Sequence, residues 1–211
     1  MRSFTQKEAL LAACGRDGHL RGADLSFMEI RTVDLRGVDL AGAVLVGSQL
    51  YDLNLEGCNL TEAHLQESRL SGVSLVGVRM DHALCQRVQF IDCDFSDAQL
   101  SYTHFLLCTL ADVPFCRADL TAAQLLSSNL DRADMTAARL PRASLRESSL
   151  AGTRFIDSDL SWVDLRKSGF LEAHYERVIT TGAIFYGKSP WDGQCSDEKQ
   201  LGKKIVVFDG E

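Results

Sequence analysis

Large apolar residues recur at every fifth position of this 211-residue chain, from Leu20 to Phe185, without any change of register. Leu or Phe holds nearly all of these positions, and the substitutes include Met80, Cys85 and Met135. A period of five matches neither the 3.6 residues of an α-helical turn nor the two-residue alternation of a strand. The pattern therefore predicts a chain that turns a corner every five residues, so that four units close one square coil.

A small residue lies two positions before each large one, as at Ala43 and Cys58, and only Met28 and Leu53 break this rule. Both positions are expected to point inward, where close packing leaves room for only a small side chain beside each large one. Stacked at the spacing of strands in a sheet, about eight and a half coils would form a rod roughly 40 Å long.

Units such as Ala23-Asp24-Leu25-Ser26 and Ala118-Asp119-Leu120-Thr121 follow the pattern A(D/N)LXX. In this respect the chain resembles the pentapeptide-repeat proteins, over about four-fifths of its length. The resemblance implies an all-β fold, a right-handed quadrilateral parallel β-helix in which the small and the large residue both point inward. Some members of this family resemble duplex DNA in size and charge, and they shield DNA gyrase or topoisomerase IV from poisons.

Three segments are expected along the chain: an N-terminal cap over residues 1–19, the β-helix over residues 20–185, and a C-terminal cap or tail over residues 186–211. A capping box at Thr5 and Glu8 predicts a short helix that lays Leu10, Leu11 and Phe4 over the first coil. In the C-terminal segment, Trp191 and the apolar run 205–208 are expected to cover the last coil. A tail that docks on a partner is the alternative.

The charge and the cysteines restrict the functional classes. The chain has 22 Lys and Arg against 29 Asp and Glu, a net charge of −7, which argues against direct nucleic-acid binding. No signal peptide or membrane-spanning run is evident, so a cytoplasmic protein without membrane association is expected. The cysteines, which include no CxxC pair, are expected to be reduced, with Cys58, Cys85, Cys93 and Cys108 inward and Cys116 outward.

The sequence offers little for catalysis. Its five His residues lack metal-ligand spacing, and no phosphate loop or nucleophile elbow is present. Asp or Asn before the large residue, as at Asp24 and Asn59, is expected to bond the turn backbone. Serines at small inward positions are expected to bond backbone carbonyls, namely Ser48, Ser68, Ser128, Ser148, Ser158 and Ser168. We therefore expect no enzyme, no cofactor and no bound metal.

Outward apolar residues cluster on one predicted face of the rod, because residues twenty apart stack on each other. The predicted protein-binding face consists of Val44, Val46, Leu84, Leu106, Leu107 and Leu126, with Tyr102 and Trp162 in a neighbouring column. Clustered apolar and aromatic groups are typical of a protein interface. The first hypothesis is a non-catalytic scaffold or regulator that binds a protein partner through this face.

The net acidity supports an alternative, a DNA mimic that binds and protects DNA gyrase or topoisomerase IV and so confers antibiotic resistance or self-resistance. Its acidic face would contain Asp34, Asp94 and Asp134, but Pro114 and Arg154 interrupt this column. A basic zone lies nearby, made of Arg132, Arg139, Arg142, Arg146 and Arg154. The projecting loops and the dimerising C-terminal helix of the resistance proteins are missing from the pattern. Contacts of Phe185, Tyr186 and Trp191 could still join two copies end to end as a homodimer.

Overall fold

The computed structural model describes residues 3–5, 7–14 and 19–185, which form a parallel β-solenoid preceded by one short helix. The elements in chain order are β1 (Ser3–Phe4), α1 (Lys7–Cys14), β2 (Glu29–Arg31), β3 (Gln49–Tyr51), β4 (Arg69–Ser71), β5 (Leu84–Gln86), β6 (Gln89–Ile91), β7 (His104–Leu106), β8 (Arg154–Ile156) and β9 (His174–Glu176). Because the strands are so short, most of the stack is joined by isolated parallel bridges.

From β2 onward, the pairing of the strands follows a constant offset of twenty residues. Strands β2, β3, β4 and β6 pair in that order in one sheet, β5 pairs with β7, and β8 pairs with β9, all in parallel. Isolated bridges keep the same offset along the whole stack, from the bridge between Asp24 and Val44 to the bridge between Asp164 and Ile184. The predicted square coil of four five-residue units and the all-β class are therefore confirmed.

The N-terminal residues pack onto the first coils. The predicted helix is present as α1, its Leu10 is fully buried, and Phe4 packs against the core while half-buried. Strand β1, which the sequence did not predict, pairs with β2 and so covers an edge that would otherwise present unpaired backbone groups. The predictions for residues 186–211, including those for Tyr186 and Trp191, lie outside the described residues.

The large inward residues form one buried column. Leu20, Leu100 and Phe115 have no exposed surface, and Met28 and Leu53 are also buried although they occupy the small position. The middle of the column is aromatic: the rings of Phe95 and Phe115 are parallel, with centroids 5.1 Å apart. The predicted inward orientation is thereby confirmed.

The corners of the coil share an unusual backbone conformation. Every fifth residue from Gly22 to Gly182 has a positive φ, between 50° and 71°. At many corners the following N–H closes a turn, as where Ala23 N donates to Leu20 O at 3.0 Å, which is the arrangement of a type II turn. The left-handed region is costly for residues other than glycine, yet Thr32 and Trp162 occupy it.

Asp and Asn before the large residue bond the turn backbone as predicted. The Oδ1 atom of Asp24 accepts the Ser26 N–H at 3.0 Å, and that of Asn59 accepts the Thr61 N–H at 3.2 Å. The same bond is made by Asp34, Asp39, Asn54, Asp94, Asp119, Asn129, Asp134, Asp159 and Asp164. These side chains are therefore used by the fold itself.

The prediction for the inward serines is confirmed at four positions and wrong at two. Hydroxyls donate to the carbonyl twenty-three residues earlier at Ser128, Ser148, Ser158 and Ser168. The hydroxyls of Ser48 and Ser68 find no hydrogen-bond partner among the described residues. The turn does not cause the difference, because the equivalent carbonyl accepts a turn N–H both at Leu45, which Ser68 does not bond, and at Leu145, which Ser168 does bond.

Candidate protein-binding face

One face of the solenoid carries no charged residue at its outward strand positions between Val44 and Leu126. Its two adjacent columns are Val44, His64, Leu84, His104 and Gln124, and Val46, Gln66, Gln86, Leu106 and Leu126. Parallel bridges join His64 to Val44 and to Leu84, and β5 pairs with β7 to continue both columns. We call these ten residues the uncharged face. The other three faces carry charges over the same coils, for example Arg69, Arg79 and Asp94.

An open groove crosses the middle of the uncharged face. One part is lined by Gln66, Leu84, Cys85, Gln86, His104, Leu106, Gln124 and Leu126, and the other by His82, Tyr102, His104, Ala122, Gln124 and Leu126. Because the two parts share His104, Gln124 and Leu126, they form one depression that extends from the flat face over its corner. We call it the Leu106 groove.

The structure brings together only part of the predicted binding face. Leu84, Leu106 and Leu126 line the groove but are half-buried, because outward side chains about 4.8 Å apart in neighbouring coils cover one another. Tyr102, which also lines the groove, is 51% exposed at the corner, and Leu107, at the opposite corner, is 44% exposed.

Three other predicted residues lie away from the groove. Val44 and Val46 are half-buried at the N-terminal end of the uncharged face, one coil before His64 and Gln66. Trp162 is 55% exposed but lies three coils beyond Tyr102 in the same corner column. The groove is therefore a smaller and more central site than the predicted face.

Polar side chains outside the predicted binding face complete the groove. The ring of His82 stacks on that of Tyr102, with centroids 5.0 Å apart and planes 3° from parallel. The carboxamide oxygen of Gln66 is buried and has no hydrogen-bond partner among the described residues. The twenty-residue spacing could have identified Gln66, because it lies twenty positions before Gln86 and forty before Leu106 in the same column.

The same side of the solenoid becomes basic in the coils that follow the uncharged face. Arg146 follows Leu126 in one column, and Asp164 with Arg166 occupies the next coil. Burial opposes the ionisation of Asp164, but hydrogen bonds from Arg166 lower its pKa on balance, with Nη2 2.7 Å from Oδ2. Arg146 Nε is 4.0 Å from the same Oδ2, and it has no hydrogen-bond partner within the described ranges. Arg146 is therefore only weakly neutralised.

The predicted acidic face is not a continuous negative surface. Asp34 is paired with Arg36 at 2.7 Å and Asp134 with Arg154 at 3.4 Å, while Asp94 accepts the Ser96 N–H. The predicted basic zone is divided in the same way, since Arg132 and Arg139 pair with Asp112 and Asp119. Ion pairs within a coil, as at Asp34, and between coils, as at Asp134, therefore neutralise much of both zones.

The remaining candidate groups are buried or dispersed. Cys58, Cys85, Cys93 and Cys108 are buried, and desolvation raises the pKa of Cys93 to about 11 and that of Cys108 to about 12. Phe185 is 1% exposed, so its ring belongs to the core and not to an exposed end surface. Over residues 3–5, 7–14 and 19–185, no cluster of His, Cys, Asp or Glu could hold a metal ion, and no helix could span a membrane.

Five-residue units, inward large and small residues and parallel bonding between coils define a quadrilateral β-helical solenoid. A model of pentapeptide repeats matches the chain in eight copies, over residues 19–57, 48–84 and 128–166. The chain belongs to the pentapeptide-repeat family.

Solved structures of similar proteins include two with regulatory or resistance roles. HetL, a pentapeptide repeat protein involved in heterocyst differentiation regulation from the cyanobacterium Nostoc sp. strain PCC 7120, is 25% identical over 78% of this chain and 83% of HetL, with a TM-score of 0.39. Trypsin-treated QnrB1, a plasmid-mediated fluoroquinolone resistance protein, is 18% identical over 88% of this chain and 90% of QnrB1, with a TM-score of 0.50. The likeness to QnrB1 is one of fold. No curated protein matches the chain.

Proposed function

We propose that this protein is a non-catalytic scaffold or regulator that binds a protein partner through the Leu106 groove. The observation that carries the proposal is the stretch of face between Val44 and Leu126, which has no charged strand residue on a chain with a net charge of −7. Interfaces are depleted of charge at their centres and enriched in aromatic residues, and the groove shares both features through Leu84, Tyr102 and Leu106.

The solenoid gives this groove a rigid base. Beneath it lie Cys85, Phe105 and Leu125, all buried, and backbone bonds between successive coils hold each outward side chain at a fixed spacing. A preformed surface loses little conformational entropy on binding. The groove therefore suits recognition of a partner without rearrangement of the rod.

The test is affinity capture from the native host with the wild-type protein and two double variants. Leu106→Glu/Leu126→Glu places two charges in the groove, and Ile91→Glu/Ile156→Glu places two charges at half-buried outward positions of other faces. Because all four side chains point outward, both variants are expected to fold, which circular dichroism and thermal unfolding would check.

We expect a specific partner to be retained by the wild type and by the Ile91→Glu/Ile156→Glu control, and to be lost with Leu106→Glu/Leu126→Glu. A desolvated charge at the centre of an interface costs several kcal/mol, equivalent to at least about a hundredfold in affinity. Retention of the same proteins by all three forms would contradict the proposal.

The net charge of −7 motivates a second candidate, a DNA mimic that protects DNA gyrase or topoisomerase IV. QnrB1 shares the fold and is a fluoroquinolone resistance protein, but the likeness at 18% identity carries no activity across. The pairing of Asp34 and Asp134 with arginines weakens the acidic surface that such mimicry requires. We therefore favour the protein-binding groove.

A gyrase supercoiling assay with and without a fluoroquinolone separates the two functions. A DNA mimic would inhibit supercoiling or rescue it from the drug, and this effect would weaken when Asp34, Asp94 and Asp134 are replaced together by Asn. A protein that acts through the groove would show neither effect over a wide concentration range.

A further inference from the structure

The corner column beside the groove changes charge from one end to the other. It consists of Glu62, His82, Tyr102, Ala122 and Arg142, and both charged ends are exposed. At the spacing of strands in a sheet, Glu62 and Arg142 are about 19 Å apart along the rod. The groove therefore lies between a negative end and a positive end.

The positive end is strengthened by the flat face next to it. Arg142, Arg146 and Arg166 are opposed there by a single carboxylate, Asp164, whose oxygens are bonded by Arg166. Arg146 Nε is buried without a hydrogen-bond partner within the described residues, but the side chain as a whole is 42% exposed and lies 4.0 Å from the one carboxylate beside it. An acidic group would therefore find uncompensated positive charge just beyond Leu126.

The shape of the face restricts how a partner can lie on it. Each face is only two outward columns wide between its corners, so a longer contact must run along the rod axis. A length of about 19 Å corresponds to about 13 residues of α-helix, which place apolar side chains on one side at every third or fourth position. Leu84, Leu106 and Leu126, on three successive coils, offer apolar contacts over about 10 Å in the middle of that length.

We propose that the Leu106 groove binds an amphipathic helix of the partner protein, aligned along the rod, whose acidic C-terminal end contacts Arg142 and Arg146. This inference rests on the proposed function of the groove. A helix in this direction places its positive N-terminal pole near Glu62 and its negative C-terminal pole near the arginines. Acidic side chains in the last turn, which are unfavourable in an isolated helix, would be compensated by the rod.

A display library of random peptides of about 16 residues, long enough to span the groove as a helix, is the probe. It is selected on the wild-type protein and, in parallel, on Leu106→Glu/Leu126→Glu to identify peptides that require the groove. A third selection uses Arg142→Glu/Arg146→Gln, and Arg79→Glu serves as the control, because it reverses one exposed arginine on another face. Peptides that enrich are synthesised, and their affinities for all variants are measured by fluorescence anisotropy.

We expect groove-dependent peptides to carry apolar residues at helical spacing and Asp or Glu towards their C-terminal ends. Their Kd should rise roughly three- to tenfold with Arg142→Glu/Arg146→Gln and stay unchanged with Arg79→Glu. Groove-dependent peptides without that acidic bias, or with equal affinity for both arginine variants, would overturn this inference and leave the proposed function intact. If no peptide depends on Leu106 and Leu126, this inference fails, and the capture experiment alone decides the proposed function.

Discussion

The indole ring of Trp162 lies over Gly182, the corner residue of the next coil, so that a Cβ on Gly182 would come within 2.5 Å of the ring. Phe27 has the same relationship to Gly47, where the corresponding distance is 2.6 Å. At these two corners the aromatic side chain leans along the rod and covers the following corner. The glycine at that position supplies both the positive φ and the space for the ring.

Gly182→Ala should destabilise the protein more than Gly57→Ala. Both positions have positive φ, which costs alanine about 1 kcal/mol, but a Cβ at Gly57 meets nothing within 4 Å. At Gly182 the Trp162 ring must also move away and become more exposed. Both variants are made in a Trp191→Phe background, so that Trp162 is the remaining tryptophan. Thermal unfolding should show the larger decrease in Tm for Gly182→Ala, and the Trp162 emission maximum should shift to the red for that variant alone. Equal losses for the two variants would contradict the ring contact.

The Asp97–Arg117 pair should stabilise the rod at neutral pH and not in acid. Two hydrogen bonds from Arg117, at 2.7 and 2.6 Å, lower the pKa of Asp97. A lowered folded-state pKa stabilises the fold above the unfolded value of about 3.9, and that contribution is lost as the pH falls through the folded value. Asp97→Asn should therefore lower the Tm at neutral pH, and the difference should vanish in strong acid.

The control for this pair is Glu172→Gln, which removes a corner carboxylate outside the Asp–Arg pairs. We expect it to leave the Tm nearly unchanged at neutral pH. A constant Tm difference between wild type and Asp97→Asn across the whole pH range would show that the pair does not act through ionisation.

Ser148→Ala and Ser68→Ala should have different effects although both serines are buried in the same column. The Ser148 hydroxyl donates to Leu125 O and accepts the Ser128 N–H, so its removal leaves two buried groups unpaired, at a cost of about 1–3 kcal/mol. The Ser68 hydroxyl has no partner among the described residues, and Ser68→Ala should be neutral or stabilising. Urea unfolding would measure both, and a similar loss for the two would contradict the assigned bonds.

Thr32→Gly should stabilise the protein. Thr32 has a φ of 55°, a conformation that is unfavourable for a β-branched residue and free of strain for glycine. We expect a gain of up to about 1 kcal/mol after the entropy of the unfolded glycine is subtracted. Thr109→Gly, at an exposed outward strand position, should instead destabilise by roughly 0.5–1 kcal/mol. The urea midpoint of each variant measures the change. If both midpoints shift in the same direction, the positive φ of Thr32 is not a source of strain.

The sequence was sufficient for the core because its geometry depends only on periodicity. The large and small inward positions, the offset of twenty and the turn bonds of Asp24 and Asn59 all follow from one repeated unit. The positive φ at the corners could not be predicted from residues such as Thr32 and Trp162, because the stacked coils impose that conformation against their local preference. Glycine enrichment at the same positions was the available signal.

The binding face was predicted less completely for a different reason. The twenty-residue spacing identifies which residues stack on each other, and it correctly places Leu84, Leu106 and Leu126 on one face. It does not show how far a side chain reaches, so the stacking of His82 on Tyr102 and the pairing of Arg166 with Asp164 required coordinates. Side-chain direction, and not strand register, was the missing information.

Because all units have five residues, inserting whole units keeps the inward residues inward but changes which outward residues share a face. Inserting one extra five-residue unit between Gln86 and His104 would preserve every inward position, yet it would turn all later residues by a quarter revolution about the rod axis. Leu106 and Leu126 would then leave the side that carries Leu84, while an insertion of twenty residues would return them to it. Whole-unit insertions and deletions can thus exchange binding surfaces between relatives whose cores are equally stable.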